Sequence, residues 1–301
     1  MPLRIGITLG DPAGIGPEII RSALESGKLA NDVDYKVIGQ VGAAVAGTPS
    51  SDSARAAFAA LEEAVSLANS GEIDAIVTGP IHKARMAEIG FEFPGQTEFF
   101  AARSGTTNYA MLLTGGAITV ALVTTHVPLR KVPGLLNTSE IVRVGKLLDD
   151  FLRRRGKAVT RIAVAGLNPH AGESGKIGRE EIEIIAPAVA ELNQSLLTNA
   201  SPARTHQSPS HFTGPHPPDT LFFHLANEKW DAALCMYHDQ GLIPLKLHAF
   251  HSGVNVTLGL PFPRTSPDHG TAFDIAGKGI ARSDSMIAAV NLAVELTQKN
   301  T

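Results

Sequence analysis

Short apolar runs alternate along the chain with longer segments whose apolar positions recur every three or four residues. The runs Ile5–Leu9, Tyr35–Gly39, Ala75–Thr78, Ile118–Thr124, Arg161–Gly166 and Ala232–Tyr237 read as strands. The segments Pro17–Ser26, Ser53–Ser70, Ser139–Arg155, Glu180–Gln194 and Ser285–Gln298 read as helices. Short apolar strands separated by helices of this length predict an α/β fold with a mainly parallel, helix-covered sheet. No internal repeat is present. Leu197–Asp219, rich in Ser, Thr, Pro and His, breaks the rhythm and reads as a long surface loop. Its His206, His211 and His216, spaced by five, read as solvated loop residues rather than a metal tract.

Composition narrows the class. At 301 residues the chain exceeds what one hydrophobic core usually supports, so two domains are expected. The formal charge of -3, without a long block of like charges, argues against a nucleic-acid partner. Arg153-Arg154-Arg155 reads as a helix end, where cations favour the dipole. No apolar stretch approaches the ~20 residues of a spanning helix, and the opening Met1–Leu9 is too short and polar-flanked for a signal peptide. The single cysteine, Cys235, excludes an internal disulfide framework and reads as a buried, inert thiol. A cytoplasmic protein without a membrane partner is expected.

The candidate chemistry lies at the ends of the predicted strands. Among eleven histidines, His126, His170 and His238 each follow an apolar run and precede a Pro- or Gly-marked turn. Sheets of this type deliver functional side chains at such places. Three imidazoles there suit one divalent metal, although their wide spacing, unlike His-Glu-x-x-His, leaves convergence open against separate structural roles. Gly10-Asp11-Pro12-Ala13-Gly14-Ile15-Gly16-Pro17-Glu18 follows the first strand and is either a phosphate cradle or a structural turn; it matches neither the Rossmann nor the P-loop spacing. Thr78-Gly79-Pro80-Ile81-His82-Lys83 and Pro94-Gly95-Gln96-Thr97-Glu98 place polar groups after a strand, with a helix cap at Thr97 as the competing reading. Lys246, Asn255 and Arg264 combine a point charge, an amide and a planar fork, the makings of an anion pocket or simply exposed surface. Asp268–Gly279 is dense in Gly, Asp and His and suits an adenosine, with Asp274 accepting from a ribose hydroxyl.

These motifs resemble the 4-hydroxythreonine-4-phosphate dehydrogenase family of vitamin B6 biosynthesis nearly end to end. The most specific pieces are Gly-Asp-Pro-Ala-Gly-Ile-Gly-Pro-Glu, Asn-Pro-His-Ala-Gly-Glu, Met-Tyr-His-Asp-Gln-Gly and Val-Asn-Val-Thr-Leu-Gly-Leu-Pro-Phe. The resemblance implies a two-domain, three-layer α/β/α fold of the isocitrate/isopropylmalate dehydrogenase type. Residues 1–93 with 260–301 would form one domain and 94–259 the other, with the active site in the cleft between them. It also implies a homodimer that shares a divalent metal (Zn, Mg, Co or Mn) on His126, His170 and His238. Substrate contacts would come from Gln96, Thr97, Lys246, Asn255 and Arg264, and NAD or NADP contacts from His269, Gly270, Thr271 and Asp274.

Two departures bear on specificity. The family motif normally carries His where this chain has Gln96. The region after Gln40 is short and Leu197–Asp219 is long relative to typical members. The implied reaction is oxidation of a 3-hydroxy acid, first 4-phosphohydroxy-L-threonine, to a β-keto acid that decarboxylates. Lys246 and Asp239 are the candidate proton acceptors. Dehydrogenation of 4-phosphothreonate, 4-phosphoerythronate or an aromatic-acid cis-dihydrodiol is the alternative, and acyl-phosphate transfer on a related fold is the more distant one.

Overall fold

The structure is a computed structural model describing residues 2–198 and 211–298. In chain order the elements begin with β1 (Leu3–Thr8), α1 (Gly16–Glu25), β2 (Val33–Ile38), α2 (Ser51–Asn69), β3 (Ala75–Thr78), α3 (Lys83–Glu88) and α4 (Gln96–Arg103). Next come β4 (Ala110–Gly115), β5 (Ile118–Leu122), α5 (Val132–Leu135), α6 (Thr138–Arg154) and β6 (Arg161–Ala165). A π-turn (Glu181–Ile185) opens α7 (Ala186–Thr198), followed by β7 (His211–His216), α8 (Pro218–Ala226) and β8 (Ala232–Cys235). The chain ends through α9 (His238–Ala249), β9 (Val254–Leu258), β10 (Arg264–Pro267) and α10 (Asp284–Gln298).

Two compact units result, Met1–Thr107 with His251–Thr301, and Asn108–Phe250. These divisions differ from the 93/94 and 259/260 expected from the sequence. The reason is that β9 pairs with β10, Arg264 opposite Thr257, and α4 bonds to both β9 and β10, so they belong with the terminal segments.

In the first unit the strand order is β2-β1-β3-β10-β9, parallel except for β9 against β10. Strand β3 (Ala75, Ile76, Val77, Thr78) is buried on both faces, with α10 and α2 packed against it. That explains an apolar run without alternation. Helix α2 starts at Ser51 rather than Ser53, because Ser50 caps it: its hydroxyl accepts from Ser53 N–H at 3.1 Å and Ser53 Oγ accepts from Ser50 N–H at 3.0 Å.

In the second unit the order is β4-β5-β8-β6-β7, with β4 antiparallel to β5 and the rest parallel. On one face Val120, Leu122, Ala163, Ala233 and Cys235 pack with Leu221 and Leu225 of α8 and Leu242 and Leu245 of α9. The alternate residues, such as Ile162, Val164 and Leu234, are fully buried too, and α6 packs against β5 and β8. Cys235 is 0% exposed, and burial pushes its thiol up, which keeps it protonated and inert. The arginine cluster does close α6, which ends at Arg154.

The expected loop Leu197–Asp219 is corrected in its described part. His211–His216 form strand β7 at the sheet edge and α8 begins at Pro218; His206 lies outside the described residues. An edge strand tolerates Gly214 and Pro215, the residues that masked it. His216 is no solvated loop residue either: its ring lies 4.7 Å from that of Trp230 and its Nε2 meets Thr213 Oγ1 at 2.8 Å. Among the described residues no helix is long and apolar enough to cross a membrane.

Candidate active site

In the first unit, a buried arginine organises the polar groups. Arg264 is 3% exposed at the start of β10. Its guanidinium donates to Thr257 Oγ1 at 3.3 Å, Thr78 Oγ1 at 2.5 Å and Gln96 Oε1 at 2.9 Å, and it lies 5.6 Å from the Phe100 ring centroid. All three acceptors are neutral, and Nε finds no partner among the described residues. Burial pushes this arginine down to about 10, partly offset by Glu98, so it remains charged at neutral pH. A buried cation facing only neutral oxygens carries a desolvation cost that an anionic ligand would offset.

Gln96 is held from both ends. Its Nε2 donates to Gly79 O at 3.1 Å while its Oε1 takes the Arg264 bond. It opens α4 behind the cap residue Gly95. Thr97 is therefore not the cap; its hydroxyl pairs with Thr257 Oγ1 at 3.2 Å. Asn255 lies two residues from Thr257 on the same face of β9, and its buried Oδ1 has no partner among the described residues. Gln96, Thr97, Asn255 and Arg264 thus belong to one polar neighbourhood. Lys246 does not belong to this unit: it lies on α9 in the second, with Nζ 5.8 Å from the Phe250 ring centroid.

The Gly10–Glu18 segment is a tight turn leading into α1. Gly10 has φ 72, and a Cβ there would meet Pro80 O at 2.3 Å. Four of its amides are engaged within the protein: Asp11 N with Pro80 O, Ala13 N with Asp11 Oδ1, Gly14 N with Asp11 O and Ile15 N with Thr271 O. What the turn does instead is hold the Asp268–Gly279 loop. Thr271 O accepts from Ile15 N at 2.9 Å, and Glu18 Oε2 accepts from Gly277 N at 2.9 Å. On that loop Asp274 and Gly270 are exposed, Thr271 is buried, and His269 Nδ1 faces Gly270 O at 3.1 Å.

The three histidines follow three adjacent parallel strands of the second unit, β5, β8 and β6. Beyond β5 and β8, Thr124 N and Oγ1 both donate to Met236 O, at 3.2 and 2.8 Å. This brings the His126 and His238 rings to 5.6 Å between centroids. His238 is not followed by a turn, as its sequence setting suggested, but is the first residue of α9. Gly241 lies inside that helix, where a Cβ would meet Leu122 and Cys235 Sγ at 3.1 and 3.2 Å. Gln240 ties the strand ends together: Oε1 accepts from Met236 N and Nε2 donates to Gly166 O, each at 2.7 Å. His238 Nδ1 lies 2.7 Å from Asp239 Oδ1. A carboxylate accepts only, so Nδ1 is the donor in this bond, which leaves Nε2 as the ligating atom of a neutral ring.

His170 takes a different course. Residues His170 to Ser174 all have positive φ (50, 51, 78, 46 and 56), a left-handed turn in which only Gly172 is unstrained. Left-handed helical geometry costs about 1–2 kcal/mol for each non-glycine residue. His170 is exposed at its start. Among the described residues, no group of three or more His, Cys, Asp or Glu lies close enough to hold an ion. The pair His126 and His238, backed by Asp239, has the donor chemistry of a zinc-type site, but His170 does not complete it within one chain.

Sequence reasoning missed Glu18, Glu181 and Gln240. Gln240 was signalled by its place in Met-Tyr-His-Asp-Gln-Gly; Glu181 had no signal beyond being a polar residue on a helical segment.

Comparison with known proteins agrees with this fold. The family profile described as pyridoxal phosphate biosynthetic protein PdxA matches residues 18–293. A 4-hydroxythreonine-4-phosphate dehydrogenase of Aquifex aeolicus is 42% identical, covering 99% of this chain and 100% of its own. The crystal structure of the enzyme of that name from Klebsiella pneumoniae superposes with a TM-score of 0.80 at 37% identity, covering 99% of this chain and 100% of the other. Isocitrate dehydrogenase from Methylococcus capsulatus shares the fold alone, with a TM-score of 0.53 at 15% identity over 97% of this chain and 85% of the other.

Proposed function

Because the chain belongs to the pyridoxal phosphate biosynthetic protein PdxA family, we propose that it oxidises 4-phosphohydroxy-L-threonine at its secondary alcohol with NAD or NADP. The single observation that carries the substrate class is the buried Arg264, whose cationic fork is met only by neutral oxygens. In this reading Arg264, Gln96, Thr97 and Asn255 hold an anionic end of the substrate. The alcohol loses a hydride to the nicotinamide and its proton to a base, giving a β-keto acid. Loss of carbon dioxide then leaves the bond electrons on the adjacent carbon, which takes up a proton.

His126 and His238 would hold a divalent metal, with His170 of a second copy as the third ligand. When bound, the metal supplies a Lewis acid for the substrate oxygens. The imidazole pair, the Asp239 hydrogen bond and the exposed His170 on a strained turn support this arrangement. A second copy would also cover the exposed apolar residues Ile243 and Leu247 on α9 and Phe250 just after it, which are 66%, 89% and 69% exposed. Lys246, on the helix that begins with His238, is the proton acceptor of choice, because Asp239 is engaged in orienting the imidazole. The exposed Asp274 would receive the ribose hydroxyl. A reducing compartment such as the cytoplasm suits the single free, buried Cys235.

The test is turnover with NAD and NADP on a panel of 4-phosphohydroxy-L-threonine, 4-phosphothreonate, 4-phosphoerythronate and an aromatic cis-dihydrodiol. The first should give the highest kcat/KM. Preference for one of the others would reassign the substrate, with Gln96 in place of the family's His as the first residue to examine.

A further inference from the structure

The turn that carries His170 is held by a residue outside it. Glu181, the first residue of the π-turn, is 3% exposed. Its Oε1 accepts from Leu167 N and Asn168 N at 2.8 and 2.7 Å, and its Oε2 accepts from Asn168 Nδ2 at 3.0 Å. No lysine or arginine pairs with it among the described residues. The same carboxylate packs under the turn: a Cβ on Gly172 would lie 2.6 Å from Oε2, and one on Gly166 would lie 3.1 Å from Oε1.

A buried carboxylate is retained at a cost unless its hydrogen bonds fix something. Here they fix the backbone immediately before a run of disfavoured left-handed residues. The π-turn belongs to the same device, since such turns mark places where a helix is distorted to aim a side chain. We infer that Glu181 is a positioning residue, clamping Leu167 and Asn168 so that the left-handed turn presents His170 in ligand-ready orientation. The inference rests on the reading of His170 as a metal ligand.

Glu181→Gln tests it, because with Oε1 kept on the backbone N–H pair the new amide N–H₂ meets Asn168 Nδ2, donor against donor, unless Asn168 turns its amide over and gives up its 2.7 Å bond to Glu180 Oε2. Zinc affinity is measured on the metal-free full-length chain by competition with a chromophoric chelator, beside circular dichroism and the melting temperature of that metal-free chain. Glu181→Gln should weaken zinc about 10- to 100-fold, the usual effect of losing a partner behind a ligand, with the metal-free melt close to wild type. Ala171→Gly, which relieves a φ of 51, should recover part of that loss in the same background. If Glu181→Gln does not fold, Asn168→Ala breaks the side-chain half of the clamp and should weaken zinc as well.

Wild-type zinc affinity in the clamp variant, with zinc lost in His170→Ala, would overturn the positioning role alone. A drop in the metal-free melt that Ala171→Gly leaves unrescued would make Glu181 a merely structural residue and overturn it too. Zinc retained by His170→Ala would remove the metal reading itself, and the inference with it.

Discussion

Replacing Arg264 by methionine separates binding from stability, and the structure sets the size of each effect. Burial lowers the guanidinium from its ordinary value to about 10, which corresponds to a charging cost of about 3 kcal/mol. The folded-state pKa lies below the unfolded one, so this cost is fully present below pH 10 and is relieved as pH rises from there towards the ordinary arginine value. Methionine removes it at neutral pH. The same change deprives Thr78, Thr257 and Gln96 of a charged donor, a loss of about 1.5–3 kcal/mol each. The loss exceeds the relief by roughly 1.5–6 kcal/mol, so the melting temperature without substrate should fall by several degrees or more.

Substrate has no such compensation. An anionic group would lose two charge-assisted hydrogen bonds worth about 1.5–3 kcal/mol each, a fall in kcat/KM of roughly 100- to 10,000-fold. Scanning calorimetry of the free protein and initial rates of reduced-nicotinamide formation measure the two quantities on one preparation. A variant that melts many degrees lower yet keeps near-wild-type kcat/KM would refute the reasoning. Arg264 would then be a structural cation, not a ligand waiting for an anion.

Three further outcomes are expected. Gln96→His should make the melting temperature acid-sensitive. Its imidazole can accept from Arg264 only when neutral, so its folded pKa falls below the ordinary 6.5 and stability drops as pH falls through that range; parallel melting curves for variant and wild type between pH 8 and 5.5 would contradict this. Asp274→Ala should raise KM for NAD by roughly tenfold, about one hydrogen bond to a charged group, with a smaller effect on NADP; steady-state kinetics with both cofactors decides. Leu247→Asp places a charge on α9 at a residue that is 89% exposed and should turn the proposed dimer into a monomer in sedimentation velocity; an unchanged mass would place the second copy elsewhere.

Much of the fold was legible because burial imposes a simple pattern. Strand Ala75–Thr78 was found with its bounds intact, since both its faces are covered and no polar residue interrupts it. The elements that were missed carry conflicting local signals. Strand β7 contains Gly214 and Pro215 and only Phe212 as a large apolar residue, which its edge position tolerates. Helix α9 contains Gly241 and Pro244, two helix breakers, yet Gly241 is what lets it approach Leu122 and Cys235. Tertiary contact outweighs propensity in both cases.

The candidate site was legible in its residues but not in its grouping, and the reason is physical. Residue type and strand-end position are local properties, so His126, His170, His238 and Arg264 all stood out. Which of them meet depends on hydrogen bonds between segments far apart in sequence. Thr124 to Met236 brings His126 and His238 together, while His170 sits on a left-handed turn and forms no group of three with them among the described residues. Lys246 and Arg264, read as one anion pocket from their regular spacing, fall in different compact units because β9 pairs with β10. In the proposed metal reading a single chain supplies the imidazole pair of His126 and His238 and, outside any group of three with them among the described residues, the exposed His170. A second copy would bring the third imidazole to the pair, and that is a physical reason to expect this enzyme to work as more than one copy.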